Sequence, residues 1–230
     1  GDQVAPMRAQ STVFRILVWS ALCGVFGCSG SSSDPEASPP EALSPGASSS
    51  PGAPVQRSCN AIMPLGDSIT LGVNGGYRND LYTGLQQNNC GVGYVGTLSD
   101  VNTRVANKHH EGHPGLTIGD IASSVNAWMA SAQPDFILLM IGTNDTAWFT
   151  NEDGAEIGAR HSALIDQLRA LRPDAWILVA SIPPQSASLI HGKGDGGNKM
   201  TDRAALTQQF NAAVRSNVDG RAAAGQRVRI

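Results

Sequence analysis

One unbroken apolar run, residues 136–141 (FILLMI), constrains the fold of this chain more than any other feature. A strand at the centre of a parallel sheet is covered on both faces, so it carries no alternation of polar and apolar side chains. Such strands belong to α/β proteins, in which helices connect successive strands. The run therefore predicts a parallel sheet with helices packed on both faces.

Shorter strand and helix patterns alternate around this run. Helical spacing of apolar side chains predicts four helices, which include Tyr77, Ile118, Ile157 and Leu206. The other strands are predicted at residues 61–65, 92–95, 176–182 and 228–230. This order predicts an α/β fold, a three-layer α/β/α sandwich with a parallel, flavodoxin-like sheet whose fifth strand is cut short.

Composition bounds the class of protein. The sequence has 230 residues and a net charge of −3, and hydrophobic residues make up 41% against 15% charged. That balance indicates one folded domain and argues against a nucleic-acid binder, which normally presents a basic face. No apolar run reaches the roughly 18 residues that a membrane-spanning helix requires.

Residues 1–28 comprise a few upstream residues and the pattern of an export signal. Arg8 and Arg15 precede an apolar core at residues 16–27, which has the length of a signal h-region. The core ends at Cys28 in a sequence that resembles a bacterial lipobox, in which the cysteine is lipidated. We therefore expect an exported protein, either an outer-membrane or cell-surface lipoprotein or, after ordinary signal cleavage, a secreted one.

Residues 29–58 are predicted to be a disordered linker. Ser, Pro, Ala and Gly account for 22 of the 28 residues from 29 to 56, which leaves little apolar surface to offset the entropy of ordering. The folded domain is therefore predicted at residues 59–230. Cys59 and Cys90 precede its first two strands, so a disulfide between them is possible in an exported protein, and two unpaired thiols are the alternative.

Two polar segments follow predicted strands, at the edge of a parallel sheet where reactive groups collect. Ser68 ends the segment Gly-Asp-Ser after the first strand, where its hydroxyl can act as a nucleophile or cap a helix. Asn144 follows the central strand. Its carboxamide is a suitable donor to a developing oxyanion, and a turn asparagine that bonds its own backbone is the alternative.

A third segment, residues 110–117 (HEGHPGLT), precedes a predicted helix. Thr117 and Asp120 form a capping-box pattern at the start of that helix, so the N–H of Gly115 can approach a ligand closely. His110 and His113 could suggest a metal site, but no cysteine or third histidine completes a ligand set. No metal is therefore predicted.

Together, Gly-Asp-Ser at 66–68, the glycine at 115 and Gly-Thr-Asn-Asp at 142–145 resemble the SGNH (GDSL) hydrolase family. The resemblance extends over residues 61–230. The stretches IMPLGDSIT, HEGHPGLTIGDIASSVNAWM and PDFILLMIGTND are similar to acetyl xylan esterases of carbohydrate esterase family three. The resemblance implies the SGNH hydrolase fold and a serine esterase that requires no metal or organic cofactor.

The resemblance also implies roles for the motif residues. Ser68 is the nucleophile, and the oxyanion hole consists of the backbone N–H groups of Ser68 and Gly115 with the Asn144 side chain. We interpret Asp67 and Asp145 as structural residues.

Two further family features bear on the site. Arg78 matches a family position (GGYR), and the sequence indicates no mechanistic role for it. The family's catalytic Asp and His lie in an Asp-x-x-His block after strand five, whereas no aspartate of this sequence has a histidine three residues on. We therefore interpret the sequence as C-terminally truncated and expect this chain alone to be nearly inactive, because a serine hydroxyl without an adjacent base is a weak nucleophile.

Three histidines are candidates to substitute for the missing base. His110, His113 or His191 could serve only within hydrogen-bond reach of Ser68, and His161 is expected at the surface of a helix.

The predicted function is that of an exported esterase. It would remove acetyl or other short acyl groups from a polysaccharide such as xylan, through an acyl-enzyme on Ser68. Its expected partner is an acylated carbohydrate or a small ester, and no nucleic acid. The alternatives are lysophospholipase, thioesterase or arylesterase activity within the family and, outside it, a surface lipoprotein that binds carbohydrate without hydrolysing it.

Overall fold

The computed structural model describes residues 61–87, 93–100, 108–147, 152–187, 189–191 and 200–230. The predicted signal segment with Cys28, the linker, and the pair Cys59 and Cys90 lie outside these residues.

A largely parallel sheet forms the centre of the described domain. Its strands are β1 (Ala61–Gly66), β2 (Gly93–Tyr94), β3 (Leu98–Ser99), β4 (His109–Gly112), β5 (Phe136–Met140) and β6 (Trp176–Val179), with β7 (Leu189–His191) and β8 (Met200–Asp202) in a separate antiparallel hairpin and β9 (Val228–Arg229) at the sheet edge. The order is β3-β4-β1-β5-β6-β9, and β2 also pairs with β1. Among the described pairs of this sheet, β3–β4 alone is antiparallel.

Helices cover both faces of the sheet. They are α1 (Ser68–Leu71), α2 (Tyr77–Gln87), α3 (Ile118–Ala132), α4 (Thr143–Ala147), α5 (Gly154–Leu171) and α6 (Arg203–Ala223). Alternate residues of β5 enter two cores: Ile137 and Leu139 pack with α3, α5 and α6, whereas Phe136 and Leu138 pack with α2. The predicted α/β/α arrangement with a mostly parallel sheet is confirmed.

The capping box predicted at the start of α3 is present. The Thr117 side chain accepts from the Asp120 N–H, and the Asp120 carboxylate accepts from the Thr117 N–H at 2.9 Å. These bonds satisfy two backbone donors that the first turn of a helix would otherwise leave unpaired. They fix where α3 begins, directly after the segment that contains Gly115.

The structure differs from the sequence-based expectation at three places. Residues 110–112, predicted to be part of a loop, belong to β4, whose Glu111 and Gly112 pair with β1. The strand predicted at residues 176–182 ends at Val179, and beyond it the Ile182 N–H donates to the Asn211 side chain of α6 at 3.1 Å. His191 lies in β7, a strand within the connection that follows β6.

No helix in the described ranges is long and apolar enough to cross a membrane.

Candidate active site

The three predicted site segments leave the sheet at one edge, the one formed by the carboxyl ends of its parallel strands. Gly66, the last residue of β1, pairs with Gly112 of β4 on one side and with Met140 of β5 on the other. Because all three strands are parallel, the segments that contain Ser68, Gly115 and Asn144 start from neighbouring strand ends.

Ser68 is the first residue of α1 and is exposed to solvent. The helix cap is Asp67, whose Oδ1 accepts from the Ile69 N–H at 2.9 Å, so the alternative of a capping serine is wrong. A Cβ at Gly66 would lie 2.1 Å from the Met140 carbonyl oxygen, so the tight approach of this turn to β5 requires glycine. Burial raises the pKa of Asp67, although donors at Ile69 and Thr143 oppose the shift.

Gly115 lies in a turn that is attached to the end of β1. The His113 N–H donates to Gly66 O at 2.8 Å, and the Leu116 N–H donates to His113 O at 3.3 Å. Gly115 has φ +82°, which favours glycine, and the direction of its missing Cβ points into open space. The turn therefore leaves the surroundings of Gly115 accessible to a ligand.

Asn144 joins the segment after β5 to the segment that contains Gly115. Its side chain is 9% exposed, and its Nδ2 donates to Leu116 O at 2.8 Å. Gly142 begins this segment with φ +125°, and the Phe210 ring of α6 occupies the space that a Cβ would need, at 2.5 Å. The carboxamide is therefore held in one orientation at the same edge as Ser68.

Asp145 makes contacts that agree with a structural interpretation. Its buried carboxylate accepts from the Ile118 N–H at the start of α3, at 3.1 and 3.3 Å, and from Arg160 Nη2 at 3.0 Å. Burial raises the pKa of Asp145, although these hydrogen bonds and the Arg160 charge oppose the shift. Asp145 therefore connects α4 to α3 and α5.

The ring of His110 is engaged in a hydrogen-bond network that does not include Ser68. His110 Nδ1 accepts from the Gly112 N–H at 3.0 Å, and His110 Nε2 lies 3.1 Å from Asp100 Oδ1. Burial, together with the Arg78 charge, lowers the pKa of His110. Because the contacts of both His110 nitrogens are within its own network, this ring is not placed to act as a base for Ser68.

Sequence reasoning missed a second histidine–carboxylate pair, which lies at the end of β4. His113 Nε2 lies 2.7 Å from Glu111 Oε2, and the His113 ring stacks on Trp128 with 4.2 Å between ring centroids. Glu111 is fully buried and also accepts from the Thr97 N–H. The sequence signal for this pair is the Glu-x-His spacing of residues 111–113.

The prediction that His161 lies on the surface is wrong. Its side chain is 1% exposed, edge-on to Phe210 at the contact between α5 and α6. His191 lies in β7, as described above. In the described ranges no three His, Cys, Asp or Glu side chains cluster in a way that could hold a metal ion.

The sequence matches the model of the GDSL-like lipase/acylhydrolase family over residues 65–224, and the chain belongs to that family. The predicted family is therefore confirmed, and it is a family of hydrolases of the GDSL esterase type. The fold is shared with a family 3 carbohydrate esterase of Clostridium thermocellum, at 32% identity and TM-score 0.61 over 74% of this chain and 76% of the other.

Two further relatives carry esterase names. A multidomain esterase of Ruminococcus flavefaciens is 33% identical over 61% of this chain, which spans only 21% of that protein's length. A carbohydrate esterase family 3 structure from Talaromyces cellulolyticus, at 22% identity and TM-score 0.55 over 70% of this chain and 73% of the other, shares the fold.

Proposed function

We propose that the protein is an exported serine esterase that removes acetyl or other short acyl groups from a polysaccharide such as xylan. The observation that carries the proposal is the pairing of β1, β4 and β5, because it brings the segments with Ser68, Gly115 and Asn144 to one edge. The name of the family 3 carbohydrate esterase from Clostridium thermocellum supports a carbohydrate ester as the substrate.

In this mechanism Ser68 Oγ attacks the ester carbonyl carbon while a base removes the hydroxyl proton. The negative charge that develops on the carbonyl oxygen is stabilised by the Ser68 and Gly115 N–H groups and by Asn144 Nδ2. The C–O bond to the sugar then breaks, and the sugar hydroxyl leaves with the proton from the base. Water, activated by the same base, hydrolyses the acyl-enzyme and regenerates Ser68.

The family resemblance implies that the base is the histidine of an Asp-x-x-His block, a motif that the given sequence does not contain. The engagement of His110 with Gly112 and Asp100 argues against His110 in that role. The Asp of that block would hold the imidazole in the tautomer that accepts the Ser68 proton.

Substitution of the nucleophile tests the proposal. In the full-length protein, Ser68→Ala is expected to abolish hydrolysis of p-nitrophenyl acetate and release of acetate from acetylated xylan. Ser123→Ala is the matched control, because Ser123 is also exposed and its hydroxyl donates only to Gly119 O within α3. Activity that survives Ser68→Ala would refute the mechanism, and carbohydrate binding without hydrolysis by the unaltered protein would favour a binding lipoprotein.

Export and attachment form a separate part of the proposal. Lipidation at Cys28 would place the esterase at the outer membrane or cell surface, with residues 29–58 as a tether. Cys28→Ala is expected to move the protein from the membrane fraction to the medium or periplasm without changing its turnover. Membrane attachment that is unaltered by this substitution would exclude Cys28 as the anchor.

A further inference from the structure

A buried guanidinium lies against the turn that carries Ser68. The Arg78 side chain is 1% exposed, its Nε donates to Thr70 O at 2.9 Å and its Nη2 donates to Leu71 O at 2.7 Å. Thr70 and Leu71 are the last residues of α1, where backbone carbonyls have no helical partner and carry partial negative charge. Arg78 therefore holds the carboxyl end of the turn whose first residue is Ser68.

The same guanidinium connects this turn to β4. Arg78 Nη2 lies 2.6 Å from Asp100 Oδ2, and Asp100 Oδ1 lies 3.1 Å from His110 Nε2. Because His110 Nδ1 accepts from the Gly112 N–H, a neutral ring carries its proton on Nε2 and donates it to Asp100. The chain of bonds ends at Gly112, three residues before Gly115.

The turn and the strand are also in direct backbone contact. A Cβ at Gly112 would lie 2.5 Å from Leu71 N and 2.9 Å from Leu71 Cα. The two backbones are therefore packed without space for a side chain. A small movement of α1 on β4 cannot be absorbed at Gly112 and would change the distance between Ser68 and the segment that contains Gly115.

The contacts of Arg78 are unlike those of a residue that only stabilises its own helix. Arg78 lies in α2, yet among the described residues its guanidinium bonds go to α1 and Asp100. Its backbone carbonyl accepts from the Tyr94 hydroxyl at 2.9 Å, which fixes the base of the side chain against β2. The bonds come from two nitrogens of a rigid planar fork, a geometry that the single ammonium nitrogen of a lysine cannot reproduce.

We propose that Arg78, acting through Asp100 and His110, is a positioning residue that sets the geometry between the Ser68 nucleophile and the Gly115 N–H. The inference rests on the proposed function, because it takes Ser68 and Gly115 as the reacting groups. Arg78 touches no substrate in this scheme. It keeps α1 and the end of β4 at the separation that the tetrahedral intermediate requires.

The test is Arg78→Lys in the full-length protein, assayed with p-nitrophenyl acetate. We expect kcat to fall by about 10²-fold with KM little changed, because a misplacement of about 1 Å costs that much without weakening ground-state binding. Arg172→Lys is the matched control. Arg172 makes a similar fork to Pro134 O and Gln133 O, at 3.1 and 3.2 Å, just before β5 begins and so at the opposite edge of the sheet.

A double-mutant cycle separates positioning from general stability. If Arg78 and Asp100 act in one chain, Arg78→Lys combined with Asp100→Asn should lower kcat hardly more than the single substitutions do. Unchanged kcat in a folded Arg78→Lys protein, an equal loss in Arg172→Lys, or strictly additive losses would each overturn the inference. If Arg78→Lys does not fold, Asp100→Asn alone decides, since unchanged kcat in that variant has the same meaning.

The Ser68→Ala variant distinguishes the two levels of the argument. Activity that survives Ser68→Ala overturns the proposed function, and the positioning role fails with it. Loss of activity in Ser68→Ala together with wild-type kcat in Arg78→Lys overturns only the positioning role.

Discussion

The edge of the sheet beside Ser68 and the contact between α5 and α6 bury polar side chains in opposite ways. Beside Ser68, the buried Arg78, His110 and Glu111 are each bonded to other segments of the chain. Between α5 and α6, His161 is equally buried, yet neither ring nitrogen has a hydrogen-bond partner among the described residues. Bonded buried groups fix positions, whereas an unbonded one only adds a desolvation cost.

The helix pair relies instead on close packing. A Cβ at Gly158 of α5 would lie 2.6 Å from the Ala213 Cβ of α6, and a Cβ at Gly154 would lie 2.4 Å from the Gln209 Cβ. Small residues thus let the two helices approach closely. We therefore expect substitutions beside Ser68 to change turnover and substitutions between α5 and α6 to change stability.

The largest expected effect belongs to Asn144. Asn144→Ala should lower kcat by about 10²–10³, the usual loss for one oxyanion donor. Asn217→Ala is the matched control, because Asn217 Nδ2 also donates to a backbone carbonyl, Gly158 O at 3.3 Å, but between α5 and α6. Steady-state kinetics on p-nitrophenyl acetate provides the measurement, and equal kcat in the two folded variants would contradict the difference between the regions.

The sequence allows the layers of the fold to be predicted because apolar side chains decide them. Residues 136–141 are apolar on both faces, and both faces are in fact covered. The strand β4 could not be predicted in this way, since His109, His110 and Glu111 are polar. They are accommodated by partners from distant segments, such as Asp100 and Thr97, and local periodicity carries no information about such partners.

The site was predictable to the same extent. The segments with Ser68, Gly115 and Asn144 follow strands, and parallel pairing brings strand ends together. Their catalytic roles remain predictions that come from the family resemblance. The burial of His161 was not predictable. The helix α5 packs against both α3 and α6, so two of its sides are covered, and a polar residue on either of them is buried.

A pH-dependent loss of stability is expected from His161. Burial lowers its pKa to about 4, against about 6.5 in the unfolded chain. At pH values above the pKa of the unfolded chain, the ring is neutral in both the folded and the unfolded state. The protonation of His161 then does not lower the free energy of unfolding. As the pH falls from about 6.5 to about 4, the unfolded chain binds a proton that the folded protein excludes, and the free energy of unfolding falls by up to roughly 3 kcal/mol.

The substitution His161→Leu should remove this dependence. Urea unfolding at about pH 7.5 and about pH 5 is expected to give a smaller difference for His161→Leu than for the unaltered protein. Leu164→Ala, a fully apolar change in the same helix and also buried, should lower stability by a similar amount at both pH values. If His161→Leu retains the full acid-induced loss, other groups cause it.

The smallest effect is expected for a single methyl group between α5 and α6. Gly158→Ala introduces a Cβ 2.6 Å from the Ala213 Cβ, so the helices must separate, and overpacking of this kind costs about 1–3 kcal/mol. Gly220→Ala in α6 makes the same chemical change where nothing lies within 4 Å of the new Cβ. Helix propensity then predicts a gain of about 0.5–1 kcal/mol in the free energy of unfolding.

Thermal unfolding should therefore shift Tm in opposite directions for the two variants. The kcat of both variants is expected to stay at the wild-type value, because neither residue lies in the segments that contain Ser68, Gly115 and Asn144. A fall in kcat for Gly158→Ala at temperatures where the protein is folded would show that the helix pair also positions the site, through the Phe210 ring that lies 2.5 Å from the Cβ position of Gly142.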